Sequence, residues 1–557
     1  MFTAFFPGED LDDEDVELEK ESLLILHNGQ DYQVQRKLAY ISSNYIKKIL
    51  INDPSLDEIE IDFDDEYNEF SLISNFLNNN FITITSENYI FLKNASKILS
   101  ISCIAQKVES FEKQFESIKN NHEIAILQTY ESIIFGITEE NLQNIVENFI
   151  FFSQIENNKY KDSDLELVAQ IILTAAQIQY KSAPLLFKFV KLLNNYKINE
   201  ILIENVHNIK KTSMRNYFIQ GLYDSGVSSS LQYYNYGDPD HSEISTNLRR
   251  SGVNPHEICY AIRFDEVERL QEISGQSSDF DFNQKVPFSS YESMPMLSNC
   301  VLIEYAAFFC SIKCFKFLLI NQATIRSQLL KFAIAGGSIE IIRLCEQNGC
   351  NFLKAVQYCI RFHKSDIFEW VISNKLKIIG FDTVCTFSFT GVSYASQQWY
   401  ECFDCFTAPE GCCEFCARHC HKHHPILDKG FAKAYCDCGH SHCKGLIEVK
   451  DVDKYDYIEN LILKSIQYCN FKIFMRLIEL GANIQTIHPN LFLMAEAHNN
   501  VRIAKIALLF EFYRFSPKTK IDHPLRVKFW PSKEFLELTQ TAIRNGLINR
   551  EEKCRIS

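Results

Sequence analysis

The sequence predicts a mostly α-helical protein. A small α/β domain stands near its start, and a small zinc-stabilised domain is set into a helical array. Three observations predict this. Gly and Pro number only 19 and 13 in 557 residues, while 46% of the chain is hydrophobic, a balance that favours helices over turn-rich sheets. Apolar residues recur at spacings of three and four over much of the length, the period of a helix with one buried face. Nine of the 20 Cys and six of the 15 His crowd into residues 402–443, a density that calls for metal-ligand chemistry.

Length and composition set the outer bounds. At ~100–200 residues per domain the chain holds roughly three to five domains. No stretch reaches the ~18 apolar residues of a membrane span, so no membrane role is expected. The start, Met1-Phe-Thr-Ala-Phe-Phe-Pro7, runs straight into acids and lacks the basic flank and apolar core of a secretory signal. A cytoplasmic protein is expected, with the nucleus as the alternative. The net charge of −15 argues against broad nucleic-acid binding. Cysteines outside the dense window are scattered singly in apolar contexts and read as reduced core thiols.

Residues 1–21 read as an acidic tail, with nine acids between Glu9 and Glu21 against Lys20, a solvated segment on physical grounds. Residues 22–115 read as one α/β unit. Leu23-Leu-Ile-Leu26 is a short apolar strand, Asn28-Gly29 a hairpin turn, and Tyr32-Gln-Val34 the returning strand. Leu38, Ile41, Tyr45, Ile46, Ile49 and Leu50 follow at helical spacing, Ile59-Glu-Ile61 is a third strand, and Phe70, Ile73 and Leu77 mark another helix. Phe81-Ile-Thr-Ile84 and a helical run over 89–108 complete the unit. This order resembles the BTB/POZ domain, through Lys37-Leu-Ala-Tyr-Ile-Ser-Ser-Asn-Tyr45, residues 70–76 and Asn94-Ala-Ser-Lys-Ile-Leu99. Gln35-Arg36 stands where that family often has His before the Leu-Ala stretch. The resemblance implies self-association or binding to a cullin.

Residues 116–222 read as helices throughout, with apolar periodicity over 124–134, 165–178 and 185–193. Residues 223–250 are small, polar and turn-rich, a linker. Residues 251–380 carry internal similarity. Tyr305-Ala-Ala-Phe-Phe-Cys-Ser-Ile-Lys-Cys-Phe315 matches the stretch that starts Phe332-Ala-Ile-Ala-Gly-Gly-Ser-Ile339, and Ser338 to Ser365 repeats the 27-residue step from Ala306 to Ala333. The pattern resumes over 455–545, at Phe474-Met-Arg-Leu-Ile-Glu-Leu-Gly-Ala-Asn-Ile484 and again over 492–506. A short helix, a Gly- or Asn-containing turn, a second helix and then Gly-Ala-Asn resemble ankyrin repeats, here degenerate and without the Thr-Pro-Leu-His signature. Each helix pair buries its apolar face only by stacking on the next, which leaves a surface for a protein partner. A basic stretch at 514–533, with Arg514, Lys518, Lys520, Arg526, Lys528 and Lys533, reads as the solvated face of a terminal cap.

The chemistry sits in residues 381–447. Cys402-x-x-Cys405 lets one turn present two thiolates to one ion, and His421-x-x-His424 puts two imidazoles on one face. Cys436-x-Cys438 lies in an extended segment whose alternate sides can serve two different ions. The candidate ligands are Cys385, Cys402, Cys405, Cys413, Cys416, Cys420, Cys436, Cys438 and Cys443, with His421 and His424. Three tetrahedral ions need about twelve ligand positions, and one bridging thiolate brings the need to about eleven. The spacing does not fit a RING. A disulfide framework leaves the His unexplained, and a set this rich in thiolate is a closed structural site rather than an open catalytic one.

This segment resembles the UBR box, the zinc domain of ubiquitin ligases that recognise destabilising protein N-termini. The resemblance rests on the leading Cys385, Trp399-Tyr400 before Cys402-x-x-Cys405, Cys413-x-x-Cys416, Cys420-His421-x-x-His424, and Tyr435 before Cys436-Asp-Cys-Gly439. It is nearest the subclass in the very large calossin/pushover-like ligases. It implies that Cys402, Cys405, His421 and His424 hold one zinc and that the others hold a two-zinc cluster with a shared Cys. A set with Cys413 as a buried non-ligand and His440 or His442 in its place is the alternative. The resemblance also implies that acids around the Cys436-Asp437-Cys438 turn pair with the α-ammonium and basic first side chain of a peptide. Asp437 is kept, His440 replaces the second acid, and Asp404 is a further candidate.

The expected function is a zinc-binding adaptor that recruits protein substrates, or free N-terminal peptides, to the ubiquitin system. No RING or HECT-like centre is legible, so ligase activity would come from partners. The alternative is an interaction scaffold with purely structural zinc and no ubiquitin role.

Overall fold

A computed structural model describes residues 3–4, 21–78, 82–155, 162–179, 183–207, 212–227, 247–248, 251–374 except 288, 290, 293 and 353, then 385, 387, 395–438 except 407–409 and 422–423, and finally 458–484, 495, 500–507, 537–538 and 540. The chain is mostly helical with small sheets. It divides into two compact units, one of Met1–Asn121, Ile378–Ile462 and Met475–His488, the other of His122–Lys377, Leu463–Phe474 and Pro489–Ser557.

In the first unit, β1 (Thr3–Ala4) precedes a hairpin of β2 (Ser22–His27) and β3 (Gln30–Gln35). Asn28 and Gly29 turn it with φ of 47° and 75°, the left-handed pair that matches strand twist. Helices α1 (Arg36–Ser42) and α2 (Asn44–Asn52) lead to β4 (Glu58–Glu60). Strand β4 pairs parallel with β2, with Ile25 opposite Ile59, giving the order β3-β2-β4. Then come α3 (Phe70–Leu77), β5 (Ile82–Thr83), α4 (Tyr89–Ile98) and α5 (Ser102–Lys119). Leu23, Ile25, Val34, Ile46, Leu50, Ile73 and Leu92 form the core between sheet and helices.

Three details depart from the sequence reading. The periodic run 38–50 is two helices, because Ser43 ends one and caps the next. Its Oγ accepts from Ile46 N (3.2 Å) and donates to Leu99 O (2.5 Å), and such a cap competes with a continuous helix. Thr3–Ala4, assigned to the tail, forms a strand against β5; the acids from Glu9 to Glu19 lie outside the described residues. Arg36 is 1% exposed and donates to the carbonyls of Leu56 and Pro54, tying the hairpin's end to the loop after α2.

The same unit takes in part of the later segment assigned to repeats. Gln114 on α5 donates to Ala482 O and accepts from Ile484 N, both at 2.8 Å. A Cβ on Gly481 (φ 93°) would stand 2.4 Å from Ile84 O, so only glycine suits both the turn and this close approach.

The second unit opens with six helices: α6 (His122–Phe135), α7 (Leu142–Ile155), α8 (Asp162–Ile178), α9 (Ala183–Leu193), α10 (Tyr196–His207) and α11 (Thr212–Asp224). Tyr223 and Asp224, assigned to the linker, end α11, and 228–246 lie outside the described residues. Four helix pairs follow: α12 (Glu257–Arg263) with α13 (Val267–Gly275), α14 (Leu302–Phe308) with α15 (Ile312–Ile320), α16 (Leu329–Gly336) with α17 (Ile339–Gln347), and α18 (Ala355–Arg361) with α19 (Ser365–Asn374).

One backbone device ends these helices. Asp265, Cys310, Gly337 and His363 all have positive φ at the turn inside each pair. After three of them the next N–H bonds back to the carbonyl five residues earlier: Glu266 to Ala261, Ser311 to Ala306 and Lys364 to Cys359, at 2.9–3.0 Å. This is the Schellman closure, which satisfies the last helical carbonyls. The turn recurs twelve residues later, at Gln322 after Cys310 and at Gly349 after Gly337, and Cys469 and Gly481 carry it after α21 (Ile458–Gln467) and α22 (Phe471–Glu479). The sequence reading looked for Gly or Asn at these turns. The chain also uses Asp, Cys, His and Gln, whose left-handed conformation costs about 1–2 kcal/mol per residue and is held by the packed helices around it.

Buried charges pin the array. Glu304, fully buried, accepts from Val301 N (3.1 Å) and from Arg326 through Nε (2.8 Å) and Nη2 (2.6 Å). Arg502 on α23 (Val501–Ala507) grips Asp164 with both ends of its guanidinium, at 3.0 and 2.8 Å. Burial and the neighbouring Arg361 push the Lys331 amine down to about 8, against the opposing pull of Glu304. Its unfolded value is 10.5, so between these two the unfolded chain binds more protons and stability rises with pH. Lys331→Met is expected to stabilise this unit near pH 7 and to flatten that rise. Urea midpoints at pH 7 and pH 9.5 check this; a midpoint at pH 9.5 no higher than at pH 7 in the unaltered chain would contradict it.

Candidate metal centre

A three-stranded antiparallel sheet organises the cysteine-rich segment: β6 (Ala395–Cys402), β7 (Cys412–Cys413) and β8 (Ile426–Ala434), in the order β7-β6-β8. Trp399 lies opposite Cys413, Tyr400 opposite Cys412, and Cys402 opposite Ile426. Helix α20 (Glu414–His419) leaves β7 directly. Gly411 lets this corner close, since a Cβ there would stand 2.4 Å from Tyr400 O and 2.8 Å from the Trp399 ring. Asp437 N donates to Gly411 O (3.0 Å), and Gly411 N donates to Asp437 Oδ2 (2.8 Å). That pair seats the 436–438 segment, with Cys436 Sγ 3.3 Å from Cys413 N.

Three donor groups result, each with its ligand atoms within 4.8 Å of one another. The first is Cys402, Cys405, His421 and His424. His424 Nδ1 is 3.0 Å from Cys405 Sγ and 3.5 Å from Cys402 Sγ. The tight turn that brings Cys405 N to Cys402 O (3.3 Å) presents both sulfurs, and another brings His424 N to His421 O (2.9 Å). The second is Cys385, Cys413, Cys416 and Cys436, all buried. The third is Cys416, Cys420 and Cys438. Cys416 therefore belongs to two groups. One helical turn separates it from Cys420, whose N donates to Cys416 O (2.9 Å), so both thiols project from one face. Cys436 and Cys438 go to different groups. Cys443, His440 and His442 lie outside the described residues.

The surroundings fit a metal better than a metal-free core. Among the described residues, seven of the eleven in this buried cluster are cysteines; hydrocarbon comes from Tyr400, Phe415, Ala417 and Ile426, with the partly buried Phe387 and Phe406 packed against them. These thiols are free, not bridged. Burial pushes the Cys402 thiol up to about 11, and hydrogen bonds from the thiols of Cys385, Cys413, Cys420 and Cys436 raise Cys416 far above the ordinary range. Packed thiols hold their protons because adjacent thiolates repel, and a divalent cation reverses that order. Soft thiolates with imidazoles are a zinc-compatible donor set. Cys412 is fully buried, belongs to no donor group, and burial keeps its thiol well up.

The candidate peptide-binding residues fall at different places. Asp404 is exposed in the Cys402–Cys405 turn, where its N–H donates to the Cys402 sulfur. Asp437 is partly exposed and linked to Gly411. The sequence reading passed over Gly411 and over Phe403, which is 64% exposed beside Asp404. The signals were a lone Gly before Cys412-Cys413 and a Phe between two ligand-type Cys.

Comparison with known proteins gives short matches. Residues 320–392 match the family model described as a domain of unknown function, DUF3447. A 63-residue stretch is 41% identical to a probable E3 ubiquitin-protein ligase of Dictyostelium discoideum, and one of 63 residues is 38% identical to the auxin transport protein BIG of Oryza sativa subsp. japonica. Each covers 11% of this chain and 1% of the relative. A 75-residue stretch, 13% of this chain and 3% of the relative, is 40% identical to the E3 ubiquitin-protein ligase hyd of Drosophila melanogaster. This chain therefore spans only a few hundredths of the length of these relatives. No solved structure matches it significantly.

Proposed function

We propose that residues 381–447 form a UBR-type domain holding three zinc ions, and that the protein recruits substrates to the ubiquitin system. The observation that carries this reading is the membership of Cys416 in two donor groups. A shared thiolate lets eleven ligands serve three ions. Cys402, Cys405, His421 and His424 hold the first. Cys385, Cys413, Cys416 and Cys436 hold the second. Cys416, Cys420 and Cys438 hold the third, with Cys443 as the fourth ligand. Bound zinc supplies the cross-links that a core poor in hydrocarbon lacks. The matched stretches in three relatives, two of them named as ubiquitin ligases, are about the length of this domain. The helix pairs, read as degenerate ankyrin repeats, present the second binding surface. The BTB-like domain contacts a cullin or a second copy; co-purification of a cullin with the full chain is the expected result that would favour the adaptor.

Asp437 carries the charge for a free α-ammonium. An array of peptides that differ only in their first residue is expected to favour free Arg, Lys or His, with N-acetylation weakening binding at least tenfold, about 1.4 kcal/mol. Asp437→Asn keeps an oxygen for Gly411 N and removes the charge, so it should weaken those peptides by a similar factor and leave the fold intact. Equal binding of free and acetylated peptides would sink the N-terminal reading. A second reading, a scaffold whose zinc only holds the insertion together, is favoured by the Asp437–Gly411 bond, which commits one carboxylate oxygen to the fold.

A further inference from the structure

Helix α17 ends in a complete Schellman motif: Gly349 adopts φ 76°, Gly349 N donates to Glu346 O (3.0 Å), and Cys350 N donates to Cys345 O (3.0 Å). In this motif the side chains three residues before the cap and two after it touch, usually as an apolar contact. Here those two positions are Cys345 and Cys350. Their thiols are hydrogen-bonded to each other. Cys345 is 1% exposed, while Cys350 is half-buried and open to solvent. The backbone bonds hold the two residues in a fixed register at the helix end, the fixed, close backbone placement that a disulfide needs.

We propose that Cys345 and Cys350 form a redox couple, which a peroxide joins into a disulfide across the end of α17 and a thiol reductant reopens. The hydrogen bond from Cys345 lowers the Cys350 thiol and raises that of Cys345, which marks Cys350 as the first to react. Its thiolate attacks one peroxide oxygen, the O–O bond breaks, and hydroxide leaves to take the thiol proton as water. Cys350 is then a sulfenic acid. The Cys345 sulfur attacks the Cys350 sulfur, the S–O bond breaks, and hydroxide leaves with the Cys345 proton as a second water. Two thiols and one hydrogen peroxide thus give one disulfide and two waters, with peroxide reduced and the sulfurs oxidised. Cys314 and Cys359 are buried with thiols raised by burial and stay outside this chemistry.

The two sulfurs fall in one tryptic peptide, residues 344–354, between Arg343 and Lys354, and Cys359 falls alone in 355–361. The metal-loaded full chain is treated with a small excess of hydrogen peroxide, denatured, alkylated and digested. Peptide 344–354 is expected two hydrogens lighter and without an alkyl group, dithiothreitol should restore two alkylation sites, and 355–361 should be alkylated throughout. Cys345→Ser should leave Cys350 without a partner, either alkylated or oxidised to the sulfinic acid. Two alkylated thiols in 344–354 after oxidation, or a doubly oxygenated Cys350 beside an alkylated Cys345, would overturn the proposal. So would reversible protection of Cys350 in the Cys345→Ser chain, because its partner would then lie elsewhere.

Discussion

Chelating metal from the intact chain is expected to unfold residues 385–438 while the helix pairs of the second unit keep their own transition. The reason is compositional. A core with seven cysteines, four buried hydrocarbon-bearing residues and two partly buried phenylalanines against them buries too little apolar surface to offset the ordering of its strands. Structural zinc contributes about 10–16 kcal/mol in comparable small domains, more than many whole domains possess. Elemental analysis should find about three zincs per chain, and hydrogen exchange should show protection of 395–438 lost as chelator removes them. Cys416→Ser should cost two ions, because its sulfur stands in two donor groups. Cys402→Ser should cost one, and Cys412→Ser none. A Cys412→Ser chain as metal-poor as the Cys416→Ser chain would refute the assignment.

Glu131→Ala is expected to be the most damaging single change in the second unit, at about 3–5 kcal/mol, because it strips the acceptor from three buried or partly buried hydrogen-bonding groups at about 1–3 kcal/mol each. Glu131 is 7% exposed. Its Oε2 accepts from Phe471 N (2.6 Å) and Lys472 N (2.9 Å), satisfying the first turn of α22, and its Oε1 meets His363 Nδ1 at 3.0 Å. His363 Nε2 in turn lies 2.8 Å from Tyr468 O, and Phe135 stacks on the imidazole at 3.8 Å. Removing the carboxylate leaves two helix-start amides and a buried imidazole without their acceptor. Glu131→Gln keeps one acceptor oxygen and should cost less. His363→Gly loses the ring contacts but relieves a left-handed backbone (φ 53°), so its cost should be smaller still. Hydrogen exchange at 471–474 and denaturant midpoints rank the three variants; a Glu131→Ala chain within about 1 kcal/mol of the original would show that water replaces the carboxylate at little cost.

The sequence alone determined much of this protein through periodicity and ligand spacing. Alternation and the Asn28-Gly29 turn marked the hairpin because a two-residue left-handed turn needs those residues. The 27-residue step marked the helix pairs because each must repeat its apolar face to stack. Residue type and interval marked Cys402 with Cys405 and His421 with His424 as two ligand pairs; that the four serve one ion was implied by the UBR-box resemblance, and their ligand atoms lie within 4.8 Å of one another.

What only the tertiary structure decided depends on residues far apart in the chain. Nothing local says that Cys385 joins Cys413, Cys416 and Cys436, or that Cys416 rather than a neighbouring thiol is shared, because the sheet register and the Gly411–Asp437 link set those distances. The split at Ser43, the left-handed turns at Asp265, Cys310 and His363, and the pairing of Glu131 with α22 were likewise illegible. Each is a local cost repaid by packing from elsewhere in the same unit, and a local reading carries the cost but not the packing. Cys345 and Cys350 show the same division: their spacing is plain in the sequence, and the helix end that brings them together belongs to the fold.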